Sequence, residues 1–165
     1  ISAALGGVLL ASAGLVDDVQ LGADKIAAAI RDGRAAARFG RMIAALGGPL
    51  GFVENWERFL PEPNVIREVQ ALDSGYVADI DGEALGLAVV ALGGGRQVES
   101  DVIDPAVGLS GLLRLGAKVE RGTPLTVIRA GREDAAQAAE VAVRRAITVS
   151  DQPPQIPELI RERIG

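Results

Sequence analysis

The sequence contains no cysteine and no histidine. The first absence removes disulfides and thiolate nucleophiles, and the two together remove the softer metal ligands and the side chain most used as a general base near neutral pH. Such a chain is poorly equipped to act as a self-contained enzyme. Aromatic residues are only 3% against 48% hydrophobic residues overall, so the core must be built from Ala, Val, Leu and Ile. No basic excess exists either: 22 acidic against 17 basic side chains give a formal charge of −5, which repels a phosphate backbone and argues against nucleic acid as a partner. The longest apolar opening, Ile1 to Val16, contains three Gly, is broken by Ser2 and Ser12, lacks a positively charged start, and is shorter than the ~20 residues a membrane crossing needs. No membrane association and a cytoplasmic location are therefore expected.

What is present, over 165 residues, is enough for one sizeable core or two small ones, because a chain of this size hides roughly two-thirds of its extended surface on folding. Residues 1–13 have no polar face, which predicts a helix belonging to a larger body. Ala23, Ile26, Ala27 and Ile30 form an amphipathic stripe ending near Gly33. Ala35, Phe39, Met42, Ile43 and Leu46 form a second that stops at Gly47-Gly48-Pro49, and the two are expected as an antiparallel pair. A short helix over 51–60 would carry Phe52, Trp56 and Phe59 as packing anchors before the stiff Pro61-Glu62-Pro63. Strands are expected over 65–71 and 75–80, the second with Tyr76, Ala78 and Ile80 on one face. A helix over 81–92 follows, then a polar loop to Asp104-Pro105 and a segment of helical or mixed character over 107–113. Lys118-Val119 and 125–130 read as the strands of a hairpin-like unit turned by Gly122 and Pro124. Ala135, Ala138, Ala139, Ala142 and Ala146 mark a last helix whose end charges suit its dipole, and 151–165 is expected as an extended arm ending in a short helix or disorder. The expected class is α+β with a mixed or antiparallel sheet.

The features with chemical potential are few. Gly93, Gly94, Gly95 and Arg96 combine backbone that can approach a ligand closely with a planar fork of donors for an anion. No GxGxxG or GxxxxGK[ST] fingerprint completes it, and a flexible connection after a helix explains the same residues. Glu99, Asp101 and Asp104 lack EF-hand spacing and read as a solvated acidic loop; Asp17 and Asp18 read as a turn and cap. Ser110 and Thr123 have no His to activate them. Lys118, in the Leu115 to Leu125 stretch, sits in spacing seen in biotinyl and lipoyl-like sandwich domains, but without the Met or Asp neighbours of a modified lysine it reads as a solvent-facing structural residue.

Four stretches in order carry a family resemblance: Phe39-Gly40-Arg41-Met42; Phe52-Val53-Glu54-Asn55 followed by Leu60-Pro61; Leu85-Gly86-Leu87-Ala88-Val89-Val90-Ala91-Leu92-Gly93-Gly94-Gly95-Arg96; and Ile103-Asp104 with Val107-Gly108. Together they resemble the carboxy-terminal part of bacterial thymidine phosphorylases, in the pyrimidine nucleoside phosphorylase family. Broader pyrimidine nucleoside phosphorylases share the glycine-arginine loop but match Phe52 to Asn55 less well. The resemblance implies a homodimeric, two-domain enzyme exchanging phosphate for the base of thymidine, with phosphate as co-substrate and no cofactor. It implies residues 1–60 as terminal helices of the phosphate- and base-binding α/β lobe, 61–64 as linker, 65–150 as the carboxy-terminal α+β domain with a barrel-sandwich-like hairpin, and 151–165 as tail. The family's catalytic His, Arg, Ser and Lys would lie in an amino-terminal lobe upstream, so no catalytic residue is assigned here; the start at Ile1 rather than Met fits the expectation of an incomplete chain. Gly93, Gly94, Gly95, Arg96 and Asp104 would form a loop facing the cleft and ordering on closure. Some relatives hold a monovalent cation near the first helix, but Leu21 and Gly22 stand where its acidic ligand would be, and no metal is assigned. The rival reading is a stand-alone biotinyl- or lipoyl-like binding module.

Overall fold

The computed structural model describes residues 1–162 and 164. It divides into two compact units, Ile1–Phe59 with Pro157–Gly165, and Leu60–Ile156.

In the first unit, helix α1 (Ser2–Ser12) packs along α2 (Val19–Arg31), which in turn is followed by α3 (Arg34–Ala45) and the single turn α4 (Trp56–Phe59). Two glycines permit the α1–α2 approach. A Cβ on Gly7 would lie 2.5 Å from the Val19 carbonyl oxygen, and one on Gly22 would lie 2.8 Å from the Gly7 carbonyl oxygen. These are also the buried residues of their helices. Helix α2 contacts α3, as expected for the pair, but packs far more extensively on α1, because its small residues face Gly7 and admit backbone contact. Asp18 caps α2, its Oδ1 accepting from the Leu21 amide at 2.8 Å. The aromatic anchors differ as well. Phe39 meets Phe52 edge-on at 6.1 Å and Phe52 stacks on Phe59 at 6.2 Å, while Trp56 is half exposed and α4 is shorter than the helix predicted over 51–60.

The second unit has two three-stranded antiparallel sheets, with helices: an α+β domain. Strand β5 (Pro124–Ala130) is central to one, between β1 (Val65–Gln70) and β3 (Gly108–Ser110). Strand β2 (Gly75–Ile80) is central to the other, between β4 (Lys118–Val119) and β6 (Ile147–Ser150). Helix α5 (Gly82–Val89), capped by Asp81, and α6 (Glu133–Ala146) pack on each other and on this core. Both sheets and both helices share one apolar cluster in which Val69, Val77, Ile128, Ala130, Ala136 and Val143 are wholly buried. Thr126 is buried among them, its hydroxyl donating to the Ser110 carbonyl at 3.0 Å, so no donor is stranded.

Four expectations are revised in this unit. The strands flanking Gly122 do not pair with each other: β4 joins β2 and β5 joins β1 and β3, so the Glu120–Pro124 turn carries the chain from one sheet to the other. Ala71 holds that turn, donating its amide to Thr123 and accepting from the Gly122 amide. Within 107–113, expected to have helical or mixed character, Gly108–Ser110 form the edge strand β3 and no residue is helical. In β2 the fully buried side chain is Val77, because a bulge between Val77 and Asp79 breaks strict alternation and leaves Val77 and Ile80 both against the core. In α6 the buried stripe is Ala136, Ala139, Val143 and Ala146, with Ala138 exposed, and the helix runs directly into β6, a strand the sequence pattern did not announce. The described residues from Asp151 onward hold no helix or strand; Arg163 and Gly165, within the tail predicted to end in a helix or disorder, lie outside the described residues.

Candidate functional site

The glycine-arginine segment begins where α5 loses its regular geometry. After Val89 the helix widens into a π-helical turn, Val90–Gly94, and Gly93 breaks it with φ +100°, a conformation L side chains resist. Gly94 and Gly95 then fold back on the helix they leave. A Cβ on Gly94 would stand 2.8 Å from Val89 Cγ1, and one on Gly95 2.7 Å from Val90 Cγ2. The three glycines thus have local reasons to be glycine: one for backbone conformation, two for close approach to the preceding turn.

From Gly95 to Ile103 the chain has no regular structure, yet its ends are tied. The Asp104 amide donates to the Gly93 carbonyl at 2.9 Å, closing the base of the loop. Asp104 Oδ1 accepts from the Ala106 amide at 2.9 Å, turning the chain into β3. This is the geometry of an Ω-loop, ends together and interior self-bonded. Of the residues singled out by sequence, Gly93 and Asp104 are joined through backbone. Arg96 is exposed and is not bonded to Asp104; its Nε donates instead to the Asp101 carbonyl at 3.3 Å.

Asp101 emerges as the organiser of the loop interior. Its Oδ2 accepts from the Gln97 amide at 2.9 Å and from the Val98 amide at 3.0 Å. Those backbone bonds, Val98 first and then Gln97, hold its carboxyl below the ordinary aspartate range. By sequence Asp101 groups with Glu99 and Asp104 as a solvated acid. The signal available was its position four residues after Gln97 in a Gly-rich loop, a spacing at which a short carboxylate can bond nearby amides. Among the described residues, the terminal nitrogens of Arg96 make no hydrogen bond or ion pair, so the end of its fork is open to an oxyanion.

The other sequence candidates have structural roles. Thr123 Oγ1 accepts from the Glu120 amide in the sheet-changing turn, Ser110 Oγ accepts from Arg129 Nε at 3.2 Å, and Lys118 is exposed on β4. Among the described residues, no group of three His, Cys, Asp or Glu side chains could hold a metal ion. No helix among them is long and apolar enough to cross a membrane.

Residues 76–150 match the pyrimidine nucleoside phosphorylase C-terminal domain. That stretch runs from β2 through β6 and includes the whole glycine-arginine loop. The match supports the pyrimidine nucleoside phosphorylase family, a family of pentosyltransferases acting in nucleoside metabolism, without selecting thymidine phosphorylase within it. Family members in their intact form take a nucleoside and phosphate as substrates. Within the matched stretch, Arg96 is the exposed cation of a loop otherwise occupied with bonding itself.

Proposed function

We propose that this chain is the carboxy-terminal part of a thymidine phosphorylase, which converts thymidine and phosphate to thymine and 2-deoxyribose 1-phosphate. The observation that carries the reading is the phosphorylase C-terminal domain match over residues 76–150, which spans the self-bonded loop bearing Arg96. The narrower choice of thymidine rests on the resemblance of Phe52-Val53-Glu54-Asn55 and Leu60-Pro61 to thymidine phosphorylases.

In this reading the enzyme is a cytoplasmic homodimer, phosphate is co-substrate, no cofactor is needed, and the reacting groups lie in an amino-terminal lobe. The present chain supplies one wall of a cleft that closes over the substrates. Closure matters because the deoxyribosyl centre is open to water as well as phosphate, and a covering loop favours the phosphate outcome by excluding water. Gly93 to Gly95 give that loop its tight exit from α5, Asp104 closes its base, and Arg96 offers an oxyanion its open fork. On its own the chain is inactive.

The test is an assay of the intact protein with phosphate and either thymidine or uridine, following free base. The expected result is a kcat/KM for thymidine at least about tenfold above that for uridine, a difference of about 1.4 kcal/mol in transition-state stabilisation. The 165-residue chain alone should release no base. Equal or greater use of uridine would assign the protein to the broader pyrimidine nucleoside phosphorylases. The sandwich-module alternative draws no support from Lys118, which stands on a short strand and not at the tip of a two-stranded hairpin.

A further inference from the structure

We infer that Asp101 is a positioning residue for phosphate use: it holds the Arg96 loop in a preformed shape and presents the end of the Arg96 guanidinium to a phosphate or sugar-phosphate oxyanion. The inference rests on the phosphorylase reading and extends it to a residue that does not itself touch substrate.

Three bonds converge on this one residue. Its carboxylate Oδ2 takes the amides of both Gln97 and Val98, and its carbonyl takes Arg96 Nε. The first two fix the backbone directly after Arg96, and the third fixes the Arg96 side chain near its branching nitrogen. A guanidinium held at Nε retains its two terminal nitrogens as a planar pair, the edge that binds an oxyanion through two parallel bonds. The loop base is closed independently through the Gly93 carbonyl and the Asp104 amide. The loop therefore has its shape before any ligand arrives, and closure moves a formed loop in place of ordering a disordered one. That lowers the entropy lost on binding.

Both amides bond the same carboxylate oxygen, so the function needs one acceptor atom and not a negative charge. Asparagine retains that atom; alanine removes it. Asp101 is half-buried but lies outside the apolar core, so neither change removes a core contact.

The experiment has two arms. In the 165-residue chain, hydrogen exchange by NMR at Gln97 and Val98 is expected to be slowed in the wild type and in Asp101→Asn, and to become fast in Asp101→Ala. In the intact protein, with inorganic phosphate as the varied substrate, Asp101→Ala is expected to raise the phosphate KM about tenfold with a much smaller change in kcat. Asp101→Asn should recover most of that loss, and Asp101→Ala added to Arg96→Ala should cost little beyond Arg96→Ala alone. Unprotected amides in the wild type, an unchanged phosphate KM in Asp101→Ala, Asn no better than Ala, or fully additive losses would each overturn the inference. A wild-type protein that turns over no pyrimidine nucleoside would instead overturn the functional reading on which it rests.

Discussion

At the residue scale, an ionic cluster on α6 ties that helix to the distant strand β1. Glu140 on α6 accepts from Arg144 at 2.8 and 3.1 Å and from Arg67 on β1 at 3.2 Å; Arg67 also pairs with Glu133, and Arg144 reaches the Gln70 carbonyl at 2.6 Å. The side chains of Arg67, Glu140 and Arg144 are each exposed by 25–29%, so their mutual bonds are partly sheltered. Hydrogen bonding to Arg144, with Arg67 adding to it, lowers the Glu140 pKa against a smaller burial effect. A carboxyl whose folded pKa is depressed contributes stability above its unfolded pKa and loses that contribution as pH falls through the folded value. Glu140→Gln is thus expected to cost about 1 kcal/mol near neutrality and to flatten the loss of stability on acidification, read from urea melts across the acidic range. A mutant with the same acid profile as wild type would remove Glu140 from this role. Only the i,i+4 spacing of Glu140 and Arg144 was legible in the sequence, since Arg67 reaches them only once β1 is placed beside α6.

At the element scale, the close contact between α1 and α2 is built on glycine against its helix propensity. Gly in a helix interior costs about 1 kcal/mol relative to Ala, yet Gly7 and Gly22 leave no room for a methyl group between α1 and α2. Gly7→Ala and Gly22→Ala are each expected to destabilise the first unit by about 1–3 kcal/mol, because backbone must move to admit the added carbon. Gly86 in α5 is the control: nothing lies within 4 Å of its added Cβ, so Gly86→Ala should stabilise the second unit by about 0.5–1 kcal/mol. Thermal melts with exchange protection read separately in α1–α2 and in α5 would check both signs. The helices themselves were readable from apolar spacing and end signals. Which face of α6 is buried was not, because an alanine-rich helix offers nearly equivalent stripes, and of its two valines Val143 is buried while Val141 is exposed.

At the scale of the whole molecule, the apolar cluster lies entirely within Leu60–Ile156, where all six strands and helices α5 and α6 meet. That unit carries its own core. A chain limited to residues 60–156 is therefore expected to fold and to unfold in one cooperative transition. Within it, Ile128, fully buried at the centre of β5, should cost about 2–5 kcal/mol on replacement by alanine. A broad, non-cooperative melt of the shortened chain would show that residues outside the unit are needed for its packing. The exposed apolar side chains of the helical unit, among them Leu5, Leu9, Leu46 and Leu50, contribute little to a core of its own.

The sequence by itself determined the local features: helices from apolar spacing, their ends from Asp and Gly, the loop from Gly93 to Asp104, and the absence of His and Cys chemistry. These depend on backbone preferences and capping groups within a few residues of each other, which local order exposes. Tertiary structure alone decided the pairing of β4 with β2 and β5 with β1, the bulge that turns Val77 inward, the strand β6 directly after α6, and the role of Asp101. Strand partners and hydrogen-bond acceptors are chosen by which groups must be satisfied when distant segments are buried together, and composition does not encode that choice locally. For the candidate site the division falls inside one loop: Gly93 to Arg96 is visible as a motif, but the carboxylate that shapes it is visible only when the loop is folded.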